Sequence, residues 1–222
     1  MDGVKKMMGP AALIAGGLAT AGFIKGAITA AGGLEQSMGA INTVFKDSAT
    51  QVHTWAIGAS SSVGLARDEY NNLAVLIGSQ LKNAGVAMDE LGPKTNNLVQ
   101  AGADMASMFG GTTKEPVEAI RSALKGKRDP IERYGVTLNQ AAVDAEAAAL
   151  GFEKVGGSLS QEASAAATLS LIMKQTGDAH GNFAKEATTY EGVNQRLKAS
   201  WDNIVATIGG GVSPFSPAAK AI

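Results

Sequence analysis

Residues 110–151 read GGTTKEPVEAIRSALKGKRDPIERYGVTLNQAAVDAEAAALG, and their punctuation decides the fold class. Thr112 followed by Glu115, and Thr137 followed by Gln140, have the spacing of capping boxes, in which two side chains satisfy the free N–H groups at a helix start. An apolar run follows each box and ends in a glycine. Val117 to Lys125 stops at Gly126, and Ala141 to Leu150 stops at Gly151. Between them Asp129-Pro130 opens one turn that stops at Gly135. No alternation of β-branched and polar residues interrupts the stretch, so it predicts short helices joined by Gly/Pro turns.

Working outward, the same grammar extends over most of the chain. Met88 to Phe109 predicts a helix with Pro93 in its first turn and Gly110-Gly111 as its stop. Before it, Arg67 to Leu81 places Tyr70, Leu73, Ile77 and Leu81 on one side, with Gly85 just beyond. Ser48 caps a helix carrying Val52, Trp55 and Ile57, and Leu34, Met38, Ile41 and Phe45 form an apolar stripe at helical spacing. On the far side, Ser158 or Ser160 caps a helix reaching Gln175. A last helix runs from about Phe183 to Ile208 and ends at Gly209-Gly210-Gly211. The expected fold is all-α, multiple short-to-medium helices joined by Gly/Pro turns. It divides into an N-terminal Gly/Ala-rich apolar helix (1–33), a helical region (34–211) and a Pro-containing linker or truncated edge (212–222).

The N-terminal segment carries the first functional expectation. After Lys5 and Lys6 come 18 uncharged residues, Met7 to Ile24, then Lys25 and a further uncharged run to Leu34. Gly22, Gly26 and Ala30 fall at four-residue spacing, which lets a second helix backbone approach closely. The segment reads as a helix packing on copies of itself. A conditional transmembrane helix is the second reading, although about 20 strongly apolar residues are wanted for that. A cleaved signal is the third, opposed by Pro10 and by apolar character continuing past Lys25.

Composition closes several routes. Hydrophobic residues make up 45% of the chain but aromatics only 5%, so helices should pack through small side chains rather than around an aromatic core. With no cysteine, disulfides, thiolate ligands and thiol nucleophiles are excluded. His53 and His180 stand far apart and outside any metal-ligand spacing, so no metal or other cofactor is expected. A net charge of −1 gives no basic footprint for specific nucleic-acid binding. Ser122-Ala-Leu-Lys125 matches an SxxK pattern but lacks the partner motifs of that chemistry. The pairs Asp144/Glu146 and Glu115/Glu118 read as helix-surface charges, not as a hydrolytic pair. No catalytic residue is assigned, and a non-enzyme is expected.

Two segments carry a resemblance: Ser122 to Leu138 (SALKGKRDPIERYGVTL), and Gln175 to Ala184 (QTGDAHGNFA) with the Trp201 to Gly209 run (WDNIVATIG) that follows. Their order of helix, glycine turn, proline turn and new helix resembles the conserved helical region of phage tail tape-measure proteins, over roughly Gly33 to Pro214. The residues carrying it are Gly126, Pro130, Gly135, Gly181, Phe183, Trp201 and Gly209. The resemblance implies a virion structural protein in the tail lumen or tail tip. It would act in tail assembly, tail length determination and genome ejection. It also implies parallel copies of itself joined as a coiled coil, a trimer being one arrangement. Further implied partners are tail tube and tail tip or baseplate proteins, tail assembly chaperones, and the host membrane at infection. Localisation would be the host cytoplasm during assembly and the virion afterwards. One unbroken helix of this length spans only about 330 Å at 1.5 Å per residue. The expectation is therefore a fragment, or the ordered part of a longer chain, that holds the family's module and not its ruler. The competing reading is a membrane-active or pore-forming helical protein of an injection device or toxin.

Overall fold

The computed structural model describes residues 10–212, and it is helical as expected. In chain order the elements are α1 (Pro10–Phe45), α2 (Ala49–Ile57), α3 (Ala59–Ser62), α4 (Arg67–Asn83), α5 (Met88–Phe109), α6 (Lys114–Leu124), α7 (Asp129–Glu132), α8 (Gln140–Ala149), α9 (Gln161–Gln175), α10 (Asn182–Lys185) and α11 (Tyr190–Val212). Short 3-10 turns lie at Lys46–Ser48, Gly177–Ala179 and Glu186–Thr188. Among the described residues the one β-type pairing is an isolated bridge between Val155 and Ser158.

Two compact units divide the chain after Gln36 and again after Ser200: Met1–Gln36 with Trp201–Ile222, and Ser37–Ser200. The second unit holds the main core. Ile41 and Phe45 from the end of α1 join Val52, Tyr70, Leu73, Ile77, Leu91, Leu98, Met105, Ile120 and Phe183, all buried. Small residues let these helices close up, as the composition suggested. A Cβ on Gly78 would collide with the Phe45 ring, and one on Gly102 with the Val117 side chain. A smaller cluster of Val143, Ala147 and Ala167 joins α8 to α9. In the first unit, α1 and α11 meet where Gly209 lies against the Ala27 backbone.

Several local expectations are corrected, and at the helix caps a tertiary or neighbouring partner wins. Thr112 and Glu115 form no capping box. Helix α6 starts at Lys114, and the adjacent Thr113 hydroxyl is buried, donating to the Val63 carbonyl at 2.7 Å. Nor do Thr137 and Gln140 form one. Asn139 caps α8 by accepting from the Ala142 N–H at 2.8 Å, while Thr137 is clamped by both ends of the Gln175 amide. Ser48 precedes α2 without capping it, since its hydroxyl donates to the Met88 carbonyl at 3.2 Å. Ser160, of the two serines offered, does cap α9. Pro93 lies inside α5, in the second turn instead of the first.

The last helix is not continuous from Phe183. It breaks after Lys185 and restarts at Tyr190, where the Thr189 hydroxyl accepts from the Gly192 N–H at 3.1 Å. Gly209, Gly210 and Gly211 lie inside α11 and do not end it.

No helix among the described residues is long and apolar enough to cross a membrane. The transmembrane reading of Met7 to Leu34 is corrected to that extent, because Gly and Ala dominate the run and Lys25 interrupts it. Met7 to Gly9, and the linker with Pro214 and Pro217, lie outside the described residues.

Candidate functional site

The residues singled out in the sequence do not converge on one site. Gly126 and Gly135 end α6 and α7 at φ +81° and +73°, and Pro130 is an exposed residue at the start of α7. Gly22 and Gly26 are exposed with nothing near the position a Cβ would take, and Ala30 is half-buried. The face they were expected to form is therefore open within the single chain. Trp201 is 58% exposed, whereas Gly209 is buried against Ala27.

Gly181 and Phe183 are brought together by a residue that the sequence reading passed over. Asp104 of α5 is 3% exposed, and its carboxylate accepts from the Gly181 N–H at 2.9 Å and the Phe183 N–H at 3.1 Å. These are orphan donors at the start of α10, so a side chain 77 residues away in sequence performs the cap. Gly181 takes φ +78°, a left-handed conformation that costs other residues energy and costs glycine little. Arg196 of α11 fixes the other side. Its guanidinium sits 4.2 Å over the Phe183 ring, donates to the Phe183 carbonyl at 2.7 Å, and donates to the Ser61 carbonyl at 3.0 Å. Beside it Gln195 donates to the Thr113 hydroxyl at 3.1 Å. Neither Asp104 nor Arg196 had a sequence signal, because both act through contacts distant along the chain.

A cavity of about 500 Å³ adjoins this lock, lined by Ser61, Asn97, Gln100, Asp104, His180 and Gly181 among others. Its one carboxylate already accepts two N–H groups, which leaves it a structural cap without an activated nucleophile beside it. Among the described residues no group of three or more His, Asp or Glu is placed to hold a metal ion.

The carboxylate pairs also resolve. Glu146 is not a surface charge: it is 8% exposed, takes a 2.5 Å bond from the Ser170 hydroxyl, and receives Lys174 Nζ on both oxygens at 2.7 and 2.8 Å. The Lys174 ammonium first, and Ser170 second, hold its carboxyl below the usual carboxylate range. Asp144 is lowered likewise by Lys154 and then Gln140. Two carboxyls both held ionised supply no general acid. Glu115 and Glu118 lie near Arg133 (3.5 Å) and Lys114 (3.9 Å) respectively. Lys125 of the SxxK match is exposed.

Helix α11 is unusual in the distribution of its side chains. In the second unit the buried positions are Gly192 and Ala199, and in the first unit Ala206 and Gly209. The exposed large apolar residues are Tyr190, Val193 and Leu197 in the second unit and Trp201, Ile204 and Ile208 in the first, at steps of three and four residues. Small residues face inward and large apolar residues face outward, the reverse of a helix whose partners all lie within its own chain.

No family model, curated protein or solved structure matches this chain.

Proposed function

We propose that the chain is a non-enzymatic assembly module that associates with copies of itself through α11, in the manner of a phage tail tape-measure protein. The observation carrying this reading is the outward apolar seam of α11. Val193 and Leu197 in the second unit, and Trp201, Ile204 and Ile208 in the first, recur at steps of three and four residues, the spacing of an apolar helix face. Leu197 is 61% exposed and Trp201 58%. Such a seam is best covered by another of the same period, and the other exposed large apolar residues come singly, as Ile57, Leu76 and Leu150 do, or as the neighbours Phe23 and Ile24 or Met108 and Phe109, with no helical repeat. A second copy of α11 is therefore the partner of choice. The open Gly22, Gly26 and Ala30 face offers a further line along which copies could approach. Tail tube and tip proteins, virion location and a part in tail assembly and genome ejection follow from the resemblance described above.

Two experiments test the reading. In sedimentation of the full chain, self-association at micromolar concentration is expected, and Leu197→Glu with Trp201→Glu should return a monomer. A wild-type monomer over the whole concentration range would refute the seam. In a phage carrying this reading frame, the same double substitution should lower the yield of tailed particles. Normal tails would leave a self-associating protein with some other task.

A further inference from the structure

We infer that the break between α10 and α11 is an exchange hinge, at which residues 190–200 of one copy leave their own seat and take the same seat on a second copy. The exchange uses the inward face of α11, so it stands apart from the outward seam.

The hinge is narrow. Asn182–Lys185 are α-helical, Glu186–Thr188 form a 3-10 turn, and Thr189 is extended at φ −76° and ψ 156°. Returning Thr189 to helical backbone joins α10 to α11. Local sequence favours the joined form, since Phe183 to Ile208 reads as one helix. Two features oppose it in the single chain. The Thr189 hydroxyl caps the restarted helix at the Gly192 N–H, and the Glu186 carbonyl lies against Gly192, where a Cβ would collide with it. Gly192 therefore serves the broken form, because inside a continuous helix glycine is less favourable than alanine.

The seat is transferable. Within residues 190–200 only Gly192 and Ala199 are buried, while Tyr190, Val193 and Leu197 face outward. Polar contacts to distant parts of the second unit hold the segment instead. Gln195 donates to the buried Thr113 hydroxyl at 3.1 Å and lies against Gly64, where a Cβ would leave it no room. Arg196 Nε donates to the Ser61 carbonyl at 3.0 Å. Those two acceptors lie 82 and 135 residues away along the chain, so a second copy supplies them as well as the chain itself does. A closed chain and an exchanged pair share these contacts and differ at the hinge, the condition under which exchange costs little. A second copy is the partner that carries an identical seat.

The test runs in the Leu197→Glu, Trp201→Glu chain, so that failure of the outward seam and failure of the exchange are read separately. Adding Gly192→Ala should shift sedimentation from monomer to dimer with no loss of helical circular dichroism. The chain has no cysteine, so Ser62→Cys and Asn194→Cys, both at exposed positions, can be joined by a flexible bismaleimide. The link should close within one chain in a monomer and between two chains in the dimer. With Gly192 retained, the fraction linked between chains should grow with protein concentration. A monomeric Gly192→Ala chain, a dimer whose link stays within each chain, or no link between chains at any concentration would overturn the proposal. If Gly192→Ala loses the helical signal, Thr189→Ala, which removes the cap of the broken form, carries the test with the same outcomes.

Discussion

Gly209 and Gly210 are neighbours in one helix, yet the structure asks opposite things of them. A Cβ on Gly209 would overlap the Ala27 carbonyl, whereas one on Gly210 meets nothing. Gly210→Ala should therefore stabilise α11 by up to about 1 kcal/mol, the ordinary propensity gain. Gly209→Ala should lose about 1–3 kcal/mol to overpacking, because the obstacle is backbone and not a rotatable side chain. Hydrogen exchange distinguishes them: protection of residues 22–33 should fall in Gly209→Ala and hold in Gly210→Ala. At Asp104 the substitution to Asn keeps the volume but leaves one acceptor for two N–H donors. Urea unfolding of Asp104→Asn should show a loss of about 1.5–3 kcal/mol, the range for a hydrogen bond to a charged group. A change below about 0.5 kcal/mol would mean that the cap on α10 is dispensable.

At the level of elements, helices α4, α5, α8 and α9 were legible because their apolar residues recur with the helical period and glycines mark their ends. Their caps were less so. Thr113, next to the chosen Thr112, gave its hydroxyl to Val63, and Asn139 took the place assigned to Thr137. A cap motif records local competence, and the acceptor that wins is set by packing that sequence spacing does not contain. The break before α11 was missed for a related reason: Thr189 is an ordinary N-cap, but Asp104 and Arg196 hold the preceding residues away from a continuous helix. Burial of Glu146 was missed because its partners, Ser170 and Lys174, come from the next helix. That pairing makes the α8–α9 contact sensitive to acid. Its folded carboxyl titrates below the unfolded value of about 4.3, so its stabilisation is present above that pH and is lost as pH falls through the folded value. Lys174→Met should raise the Glu146 titration seen by carboxyl NMR. It should also narrow the stability difference from wild type as the pH drops below about 4. An unmoved titration would show that the exposed Lys174 is screened by solvent.

On the scale of the whole molecule, the all-α fold follows from composition and periodicity, whereas the seam of α11 escaped because which face of a helix is covered depends on what packs against it. Trp201 was read only as part of a motif, and the last helix was read as running to Ile208 with no buried or exposed face assigned to it. The structure places Ala199, Ala206 and Gly209 inward. Small inward residues bury little apolar area, at roughly 25 cal/mol per Å². The large outward ones would each contribute about 1.5–3 kcal/mol if fully covered, which favours covering them by association. The chain has two tryptophans, and Trp55 is half-buried against the core of the second unit. In a Trp55→Phe background, acrylamide quenching therefore reports Trp201 alone. Quenching should be strong at high dilution and should fall as protein concentration rises, with a midpoint matching that of sedimentation. Adding Leu197→Glu, one turn before Trp201 on the same face, should keep quenching strong at every concentration. If sedimentation reports association while Trp201 stays equally quenchable, copies meet through another surface, and the Gly22, Gly26 and Ala30 face becomes the place to look.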